Sequence, residues 1–365
     1  MPDYFDQVKD LEAEIAKTPY NKRTQHHIGL IKAKIANLKE KDMARRSSKG
    51  GGQGFSVRKA GDATVIMIGF PSSGKSTLLN AITGTNSPVG AYEFTTLDVI
   101  PGTLDYRDSK IQILDVPGIV HGAASGRGRG KEVMAVMQGA DLIIILIDTL
   151  RPNALNVIEK EIYDSYLRLN QRKPDVKIKK TPRGGIRVGR TVKTPYLDNK
   201  TIAAILKEFR INNADVLIRT PINVDQLIDI IEGNKRYVPG ITVMNKMDAV
   251  DKKRVDDLTK EYSPDITISA EKKINLEELK ELIFRRLDFI RVYCKERRKK
   301  ADMEIPLIMK DGDTLLSMCR KLHKDFESKF KFARIWGKSV KYDGQKLLKL
   351  HHKLKDEDIV ELHMR

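Results

Sequence analysis

The segment Gly69-Phe70-Pro71-Ser72-Ser73-Gly74-Lys75-Ser76 constrains this chain more than any other. It fits the spacing G-x-x-x-x-G-K-[ST], follows the β-rich run Thr64 to Ile68 and opens a helical pattern at Lys75. A strand, a glycine-rich turn and a helix in that order make a phosphate cradle. The glycines let backbone N–H groups curl around the anion, and the helix N-terminus favours negative charge. Lys75 is expected to reach the outer phosphates of a nucleotide, the Ser76 hydroxyl to bind Mg2+, and Thr77 to continue the first turn of the cradle. A chance glycine-rich turn is the bland alternative, and the flanking strand and helix argue against it.

Such a loop belongs in an α/β fold, and the rest of the chain agrees. Ile111 to Leu114, Leu142 to Ile147, Ile241 to Met244 and Ile266 to Ile268 are buried-strand candidates. Helical patterns such as Lys75 to Ala81 and Leu276 to Leu287 lie between them. This alternation predicts a mostly parallel sheet with helices on both faces. The stretch from Thr149 to Gly240 far exceeds a simple crossover, so it must contain an inserted α+β subdomain. The reading divides the chain into an N-terminal helical hairpin (1–48), a linker (49–60), a nucleotide domain in two parts (61–164 and 238–290), the basic insert (165–237) and a small C-terminal β-grasp module (291–365). In the hairpin, Thr18 and Pro19 read as the start of the second helix, whose apolar stripe is Ile28, Ile31, Ile35 and Leu38.

Lys plus Arg number 67 against 49 Asp plus Glu, and the resulting +18 favours a polyanionic partner. The charge clusters at 23–46, 168–193 and 295–300. From Arg168 to Lys193 there are ten basic residues and one acid, Asp175, among prolines and glycines that suit an exposed hairpin or loop. A segment so charged is expected to keep its charges out of the interior. The two cysteines, Cys294 and Cys319, make neither a disulfide framework nor a metal pattern, which suggests a reducing compartment. The acidic, amphipathic N-terminus is not a signal peptide, and the longest apolar run, Leu142 to Ile147, cannot span a bilayer. A cytoplasmic protein without membrane contact is expected.

Asn245-Lys246-Met247-Asp248 selects the base. Guanine offers two adjacent donors, N1–H and the N2 amine, which a carboxylate such as Asp248 accepts together, whereas adenine presents neither at that edge. Asn245 would bind the base and brace its loop, the Lys246 stem would cover the ring, and Ser269-Ala270-Glu271 would add a backbone N–H for the guanine oxygen. Asp115-Val116-Pro117-Gly118 ends another strand. Asp115 is the expected water-mediated Mg2+ partner, and the Gly118 N–H can bond the γ-phosphate. Phe94, Thr95 and Thr96 precede it, and Thr96 is the expected threonine ligand of Mg2+. Lys75, Thr96 and Gly118 are therefore the candidate catalytic groups. Losing the γ-phosphate would release both loops, as in a switch.

These motifs together resemble the TRAFAC class of GTPases. Gly69 to Ser76, Tyr92-Glu93-Phe94-Thr95-Thr96-Leu97, Asp115 to Val120 and the glycine-rich run Gly122 to Gly130 are similar to its Obg branch. His26-His27-Ile28-Gly29-Leu30, Asn213-Ala214-Asp215-Val216 and Trp336-Gly337-Lys338-Ser339-Val340-Lys341 resemble the developmentally regulated GTP-binding (DRG) family of archaea and eukaryotes, and an archaeal-type member is the expectation. The resemblance covers essentially the whole chain. It implies a ribosomal-protein-like insert, a C-terminal TGS domain, Thr96 as the Mg2+ threonine, and association with ribosomes or ribosomal RNA in translation. A regulatory protein on the TGS or GTPase domain is a further partner expectation.

Departures from the pattern shape the expected chemistry. Ile119 follows Asp-x-x-Gly where Ras-like proteins carry a water-orienting glutamine, and isoleucine cannot do that work. Catalysis would then rest on loop and metal electrostatics plus something supplied from elsewhere. Arg127, Arg129 and His121, where many relatives have Glu, read mainly as solvated switch residues. Some relatives use a P-loop asparagine to hold K+; Ser72 occupies that position here and leaves K+ open. Two rival functions remain. A signalling or trafficking GTPase would need no RNA contact, and the chain has no C-terminal lipidation cysteine. A non-enzymatic RNA binder conflicts with intact Lys75, Ser76, Asp115 and Asp248.

Overall fold

A computed structural model of the chain describes residues 4–19, 21, 24–47, 61–83, 100–116, 136–195 and 197–364. In chain order it begins with α1 (Tyr4–Lys17), α2 (Gln25–Ser47), β1 (Ala63–Ile68), α3 (Lys75–Ile82), β2 (Ile100–Tyr106), β3 (Ser109–Asp115) and β4 (Leu142–Asp148). Then come α4 (Ala154–Asp164), β5 (Leu167–Leu169), β6 (Val176–Lys180), β7 (Ile186–Arg190), α5 (Asn199–Glu208), β8 (Ala214–Ile218), α6 (Val224–Glu232) and β9 (Arg236–Val238). They are followed by β10 (Gly240–Asn245), α7 (Lys252–Tyr262), β11 (Ile266–Thr267), α8 (Leu276–Arg286), β12 (Phe289–Cys294) and β13 (Leu307–Lys310). The last elements are α9 (Leu315–Leu322), α10 (Phe326–Lys329), β14 (Phe330–Trp336), β15 (Gln345–Leu347) and β16 (Asp358–Met364). They form two compact units, 1–55 with 166–237, and 56–165 with 238–365.

In the first unit the second N-terminal helix, α2, and the insert, expected as separate pieces, share one core. Ala33 of α2 is buried with Ile202, Ile205 and Leu206 of α5, Leu227 of α6 and Val216 of β8. Small residues make the approach possible: a Cβ at Gly29 would lie 3.2 Å from Thr201 Cγ2. Polar contacts fix the register. His26 Nδ1 lies 3.0 Å from Thr201 Oγ1, Lys32 meets Asp225 at 2.7 Å, and the Asn37 amide donates to the Glu208 carbonyl at the end of α5. The start of α2 differs from the expectation. Asn21 and Thr24 exchange backbone-to-side-chain hydrogen bonds of 3.0 Å each, a reciprocal cap, while the Thr18 hydroxyl bonds back to Glu14 O at the end of α1. A threonine donating to the fourth residue before it closes a helix, so Thr18 does not open the next one.

The basic run is not a hairpin either. Its two strands, β6 and β7, flank β8, antiparallel on one side and parallel on the other. Period-two alternation explains why: Val176, Ile178, Ile186 and Val188 pack onto the core face, leaving Lys177, Lys179 and Arg187 on the other. Arg168, the first residue of the run, breaks the rule that its charges stay outside. It is 3% exposed, and its guanidinium grips Asp229 with bonds of 2.6 and 2.8 Å. Beside them Lys235 pairs with Glu232 and lies 4.2 Å from the Tyr166 ring centroid. Burial costs such charges several kcal/mol each, and only a complete set of partners offsets it.

The second unit holds the predicted sheet, in the order β11-β10-β4-β1-β3-β2. All its ladders are parallel except β2–β3. The strands β1, β3, β4 and β10 end side by side, with Met67 opposite Asp115 and Asn245 opposite Asp148. Their apolar residues pack on Leu78, Leu79 and Ile82 of α3 and on Leu279 and Ile283 of α8. β2 carries Pro101 and Gly102, which argue against a strand; at a sheet edge both are tolerated. Gly102 is also required, since a Cβ there would sit 2.7 Å from Leu79 and Thr83 side-chain carbons.

The C-terminal module of this unit is a mixed sheet, β13-β12-β16-β14-β15, with α9 packed on its inner face through Leu315 and Met318. Gly337 explains the Trp336-Gly337-Lys338-Ser339 turn. At φ +135° its Cβ would lie 2.5 Å from Asp358 Oδ1, and fully buried Asp358 accepts the N–H groups of Ser339 and Lys355. Lys310 on β13 meets Asp141 at 2.7 Å and Lys321 on α9 meets Asp62 at 3.0 Å, joining the module to the amino ends of the middle strands β4 and β1.

The buried pair in the first unit gives a stability prediction. Arg168→Met should strand Asp229 and cost about 3–5 kcal/mol, whereas Arg168→Met with Asp229→Leu should recover most of the loss. Urea unfolding read by amide exchange along β8 measures both. A single variant as stable as the parent would show that the pair holds nothing together.

Candidate functional site

The residues singled out in the sequence converge at the carboxyl ends of β1, β3, β4 and β10, the edge where open α/β sheets hold ligands. From β1 the chain turns through Gly69 to Gly74 and enters α3. Gly69 admits no side chain: a Cβ would meet Leu146 O at 2.6 Å. Ser72 adopts φ +65°, unusual for a residue with a side chain. Gly74, the N-cap of α3, has φ +91° and a Cβ position 2.4 Å from Asn245 Nδ2. Because Gly74 offers no side-chain cap, the first-turn amides of Lys75, Ser76 and Thr77 are left to an external acceptor.

Lys75 folds back over this turn. Its ammonium donates to Gly69 O at 3.0 Å and Phe70 O at 3.2 Å. Burial pushes its pKa down, and Asp115 works in the opposite sense. The Ser76 hydroxyl donates to Asp115 Oδ2 at 3.1 Å. Asp115 is 4% exposed, and its Oδ1 has no hydrogen-bond partner among the described residues; nor does the buried Ser73 Oγ. An unpartnered carboxylate oxygen beside a hydroxyl is a hard-oxygen donor set that suits Mg2+. No group of three or more His, Cys, Asp or Glu side chains able to hold a metal occurs among the described residues, so Mg2+ would need ligands from a bound phosphate too.

Asn245 ties three segments together. It is 2% exposed, donates to Ser73 O at 2.9 Å and accepts the Ala270 N–H at 3.0 Å. Lys246 follows in the left-handed region at φ +65°, and a short 3-10 turn, Met247–Ala249, presents Asp248. Ser269 hydrogen-bonds Asp248 and holds its carboxyl below its ordinary value, so it stands ionised and ready to accept. The Ala270 N–H, expected to meet a guanine oxygen, is engaged by Asn245 here; a base oxygen would have to share it. Glu271 lies exposed beside that loop.

Two residues went unread in the sequence. Asp148, at the end of β4, pairs with Lys246 at 2.8 Å, and Thr149 donates its N–H to Asn245 O and its hydroxyl to Lys246 O at 2.9 Å. Together they hold the strained Lys246 backbone in place. Polar residues immediately after a buried apolar strand were the available signal. A cleft of about 180 Å³ lies between Phe70–Ser73 and Lys246, with Asp148 and Arg151 on its wall. Phe94, Thr95, Thr96, Gly118 and Ile119, with His121, Arg127 and Arg129, lie outside the described residues. The two loops expected to contact the γ-phosphate are therefore not part of this geometry.

Comparison with known proteins gives the family. A family described as 50S ribosome-binding GTPase matches residues 64–180, the C-terminal region of the MMR_HSR1 domain matches 183–289, and the TGS domain matches 290–364. An uncharacterized GTP-binding protein of Methanocaldococcus jannaschii is 49% identical over 97% of this chain and 91% of its own length. Developmentally-regulated G-protein 3 of Arabidopsis thaliana is 41% identical over 99% of each chain. Developmentally-regulated GTP-binding protein 1 of Xenopus laevis is 41% identical over 97% of each. No helix among the described residues is long and apolar enough to cross a membrane. By these similarities, over nearly its whole length, this chain is a GTP-binding GTPase and belongs to the developmentally regulated GTP-binding protein family, of archaeal type and carrying a TGS domain.

Proposed function

We propose that this GTPase is a slow, Mg2+-dependent switch that works on the ribosome through contacts with ribosomal RNA. The observation that carries the nucleotide half is the Ser76–Asp115 pair with its unpartnered oxygen, set beside the uncapped start of α3. There Mg2+ would neutralise phosphate charge, held by Ser76, Asp115 and Thr96. The N–H groups of Ser73 to Thr77 and the Lys75 ammonium would bind the phosphates once Lys75 leaves the Gly69 and Phe70 carbonyls. Asp248 would accept the two guanine donors, with Asn245 keeping its loop against the P-loop.

The RNA half is supported by the outer face of the β6-β8-β7 sheet. Lys177, Lys179 and Arg187 project from it, and Asp215 pairs with Arg187 at 2.8 Å. Lys180 and Arg183 are exposed at its end. Asp175 pairs with Arg219 at 3.3 Å, so Lys177, Lys179, Lys180 and Arg183 remain as a surplus that a phosphate backbone can neutralise. The matching family's description, 50S ribosome-binding GTPase, agrees in kind.

Base choice should depend on Asp248. Asp248→Asn should weaken GTP binding by about 1–3 kcal/mol, by analogy with a bidentate base contact, and should favour xanthine nucleotides. Calorimetry finding GTP affinity unchanged would remove Asp248 from base recognition. Hydrolysis by the isolated protein should vanish with EDTA and be slow in Mg2+, near the intrinsic rates of Ras-like proteins, on the order of 10⁻⁴ s⁻¹. Turnover at tens per second would mean that Ile119 does not leave the machinery incomplete. Neutralising Lys177, Lys179, Lys180 and Arg183 together should weaken ribosome cosedimentation and make its salt dependence shallower, by nearly one unit of slope per lost phosphate contact. GTP affinity should hardly change. An unaltered salt slope would reduce this face to solvated charge.

A further inference from the structure

Asp148 closes β4 with a carboxylate that the nucleotide chemistry leaves unused. Its two oxygens have separate tasks. Oδ1 accepts the Leu150 N–H at 2.9 Å, an Asx turn that ends the strand. Oδ2 accepts the Lys246 ammonium at 2.8 Å. A turn needs only the first bond, so the second calls for another explanation. The Asp148 side chain is 12% exposed and that of Lys246 35%, and both line the cleft beside the P-loop.

The other end of Lys246 is held as well. Its backbone stands in the left-handed region at φ +65°, and Thr149 Oγ1 donates to its carbonyl at 2.9 Å. The next N–H, that of Met247, bonds Ile268 O at 3.1 Å. Thr149 is 2% exposed and also donates its own N–H to Asn245 O at 3.1 Å. A free lysine side chain turns about every bond of its flexible stem. Here the carbonyl and the ammonium are both fixed, so the stem between them follows one path along the cleft that faces Phe70–Ser73. A solvated ion pair with no further purpose contributes little, and it does not call for an acid anchored by a backbone N–H.

A base that enters beside Asp248 would present its edge to that carboxylate and its ring face to the Lys246 stem. A stem already extended has little freedom left to lose when the base arrives, and preorganisation of this kind lowers the cost of binding. Purines share a ring face and differ at the edge. We infer that Asp148 is a positioning residue: by holding the Lys246 ammonium it keeps the stem over the base and sets how long a nucleotide stays, without choosing which purine. This rests on the reading above that Asp248 accepts the guanine edge. Retention and base choice then belong to two different carboxylates, on either side of the same lysine.

Release of N-methylanthraniloyl-GDP from the full-length protein, and of the same derivative of IDP, tests this by stopped-flow fluorescence with an unlabelled GDP chase in Mg2+. Hypoxanthine lacks the N2 amine, so IDP keeps the ring face and loses part of the edge contact. Asp148→Asn retains an oxygen for the Leu150 N–H and removes the charge that meets Lys246. It should speed release of both nucleotides by the same factor, roughly tenfold, the scale of one hydrogen bond to a charged group. Lys246→Met keeps an apolar stem without the ammonium and should speed release about as much. In the Lys246→Met background Asp148→Asn should add nothing, because its effect runs through the ammonium. Thr149→Val acts on the backbone, and its effect should persist in that background. Should Asp148→Asn fail to fold, Lys246→Met reads the same contact from its other end. Parent-like release from the folded variants, or an additive effect of Asp148→Asn on Lys246→Met, would overturn the proposal, the second by assigning Asp148 to the turn alone. Faster release of GDP but not of IDP would overturn the separation of retention from base choice. Asp248→Asn tells this failure from that of the reading beneath it. If it changes the ratio of GDP to IDP affinity while Asp148→Asn leaves release unchanged, only the role of Asp148 falls; if it leaves GDP affinity unchanged, both fall.

Discussion

The Asn245 side chain holds the nucleotide edge together. One amide group joins the P-loop at Ser73, the base-recognition loop in which it sits, and the third loop at Ala270. These segments are far apart in the chain and carry strained backbone at Ser72 and Lys246. Strain of this kind persists only when the surroundings over-determine it. Asn245 is 2% exposed, so both its bonds are made away from competing water. Gly74 belongs to the same arrangement: its missing side chain is the space that the Asn245 amide occupies. The P-loop and the loop that carries Asp248 are thus a single packed structure.

Much of this was legible in the sequence because the parts are local. The P-loop spacing, the strand before it and the helix after it lie within a few residues, and α3 begins at Lys75 as its pattern requires. Buried parallel strands announce themselves as continuous apolar runs, and β1, β4 and β10 follow theirs closely. That Asn245 would end a buried strand, with Asp248 just beyond it, was readable from type and order. Asp148 and Thr149 were not, because their task is to hold another residue's backbone, and nothing in their own neighbourhood names Lys246 as the object.

What escaped the sequence depends on segments distant along the chain. The apolar stripe of α2 shows that the helix packs, yet only the fold shows that Gly29 and Ala33 face the insert. The hairpin expected within 168–193 failed because β8 inserts between β6 and β7, a pairing that no local turn signal encodes. Arg168 read as one more surface cation until Asp229, on a helix that follows much later, supplied its partner. β2 was hidden by Pro101 and Gly102, whose usual meaning reverses at a sheet edge.

The shared core of α2 and the insert bears on how the molecule is made. His26 and Thr201, which touch in the folded unit, are 175 residues apart in sequence. At a synthesis rate of about 5–20 residues per second, α2 emerges roughly 10–35 s before the helix that covers its Gly29 and Ala33 face. The first half of the parallel sheet is made during that interval, and it too must wait, for β10 and β11 to follow the insert. Each unit is therefore begun before the other is complete. The first unit must wait for the first part of the second to be made, and during the delay the bare side of α2 is open to any chaperone or neighbour able to cover it.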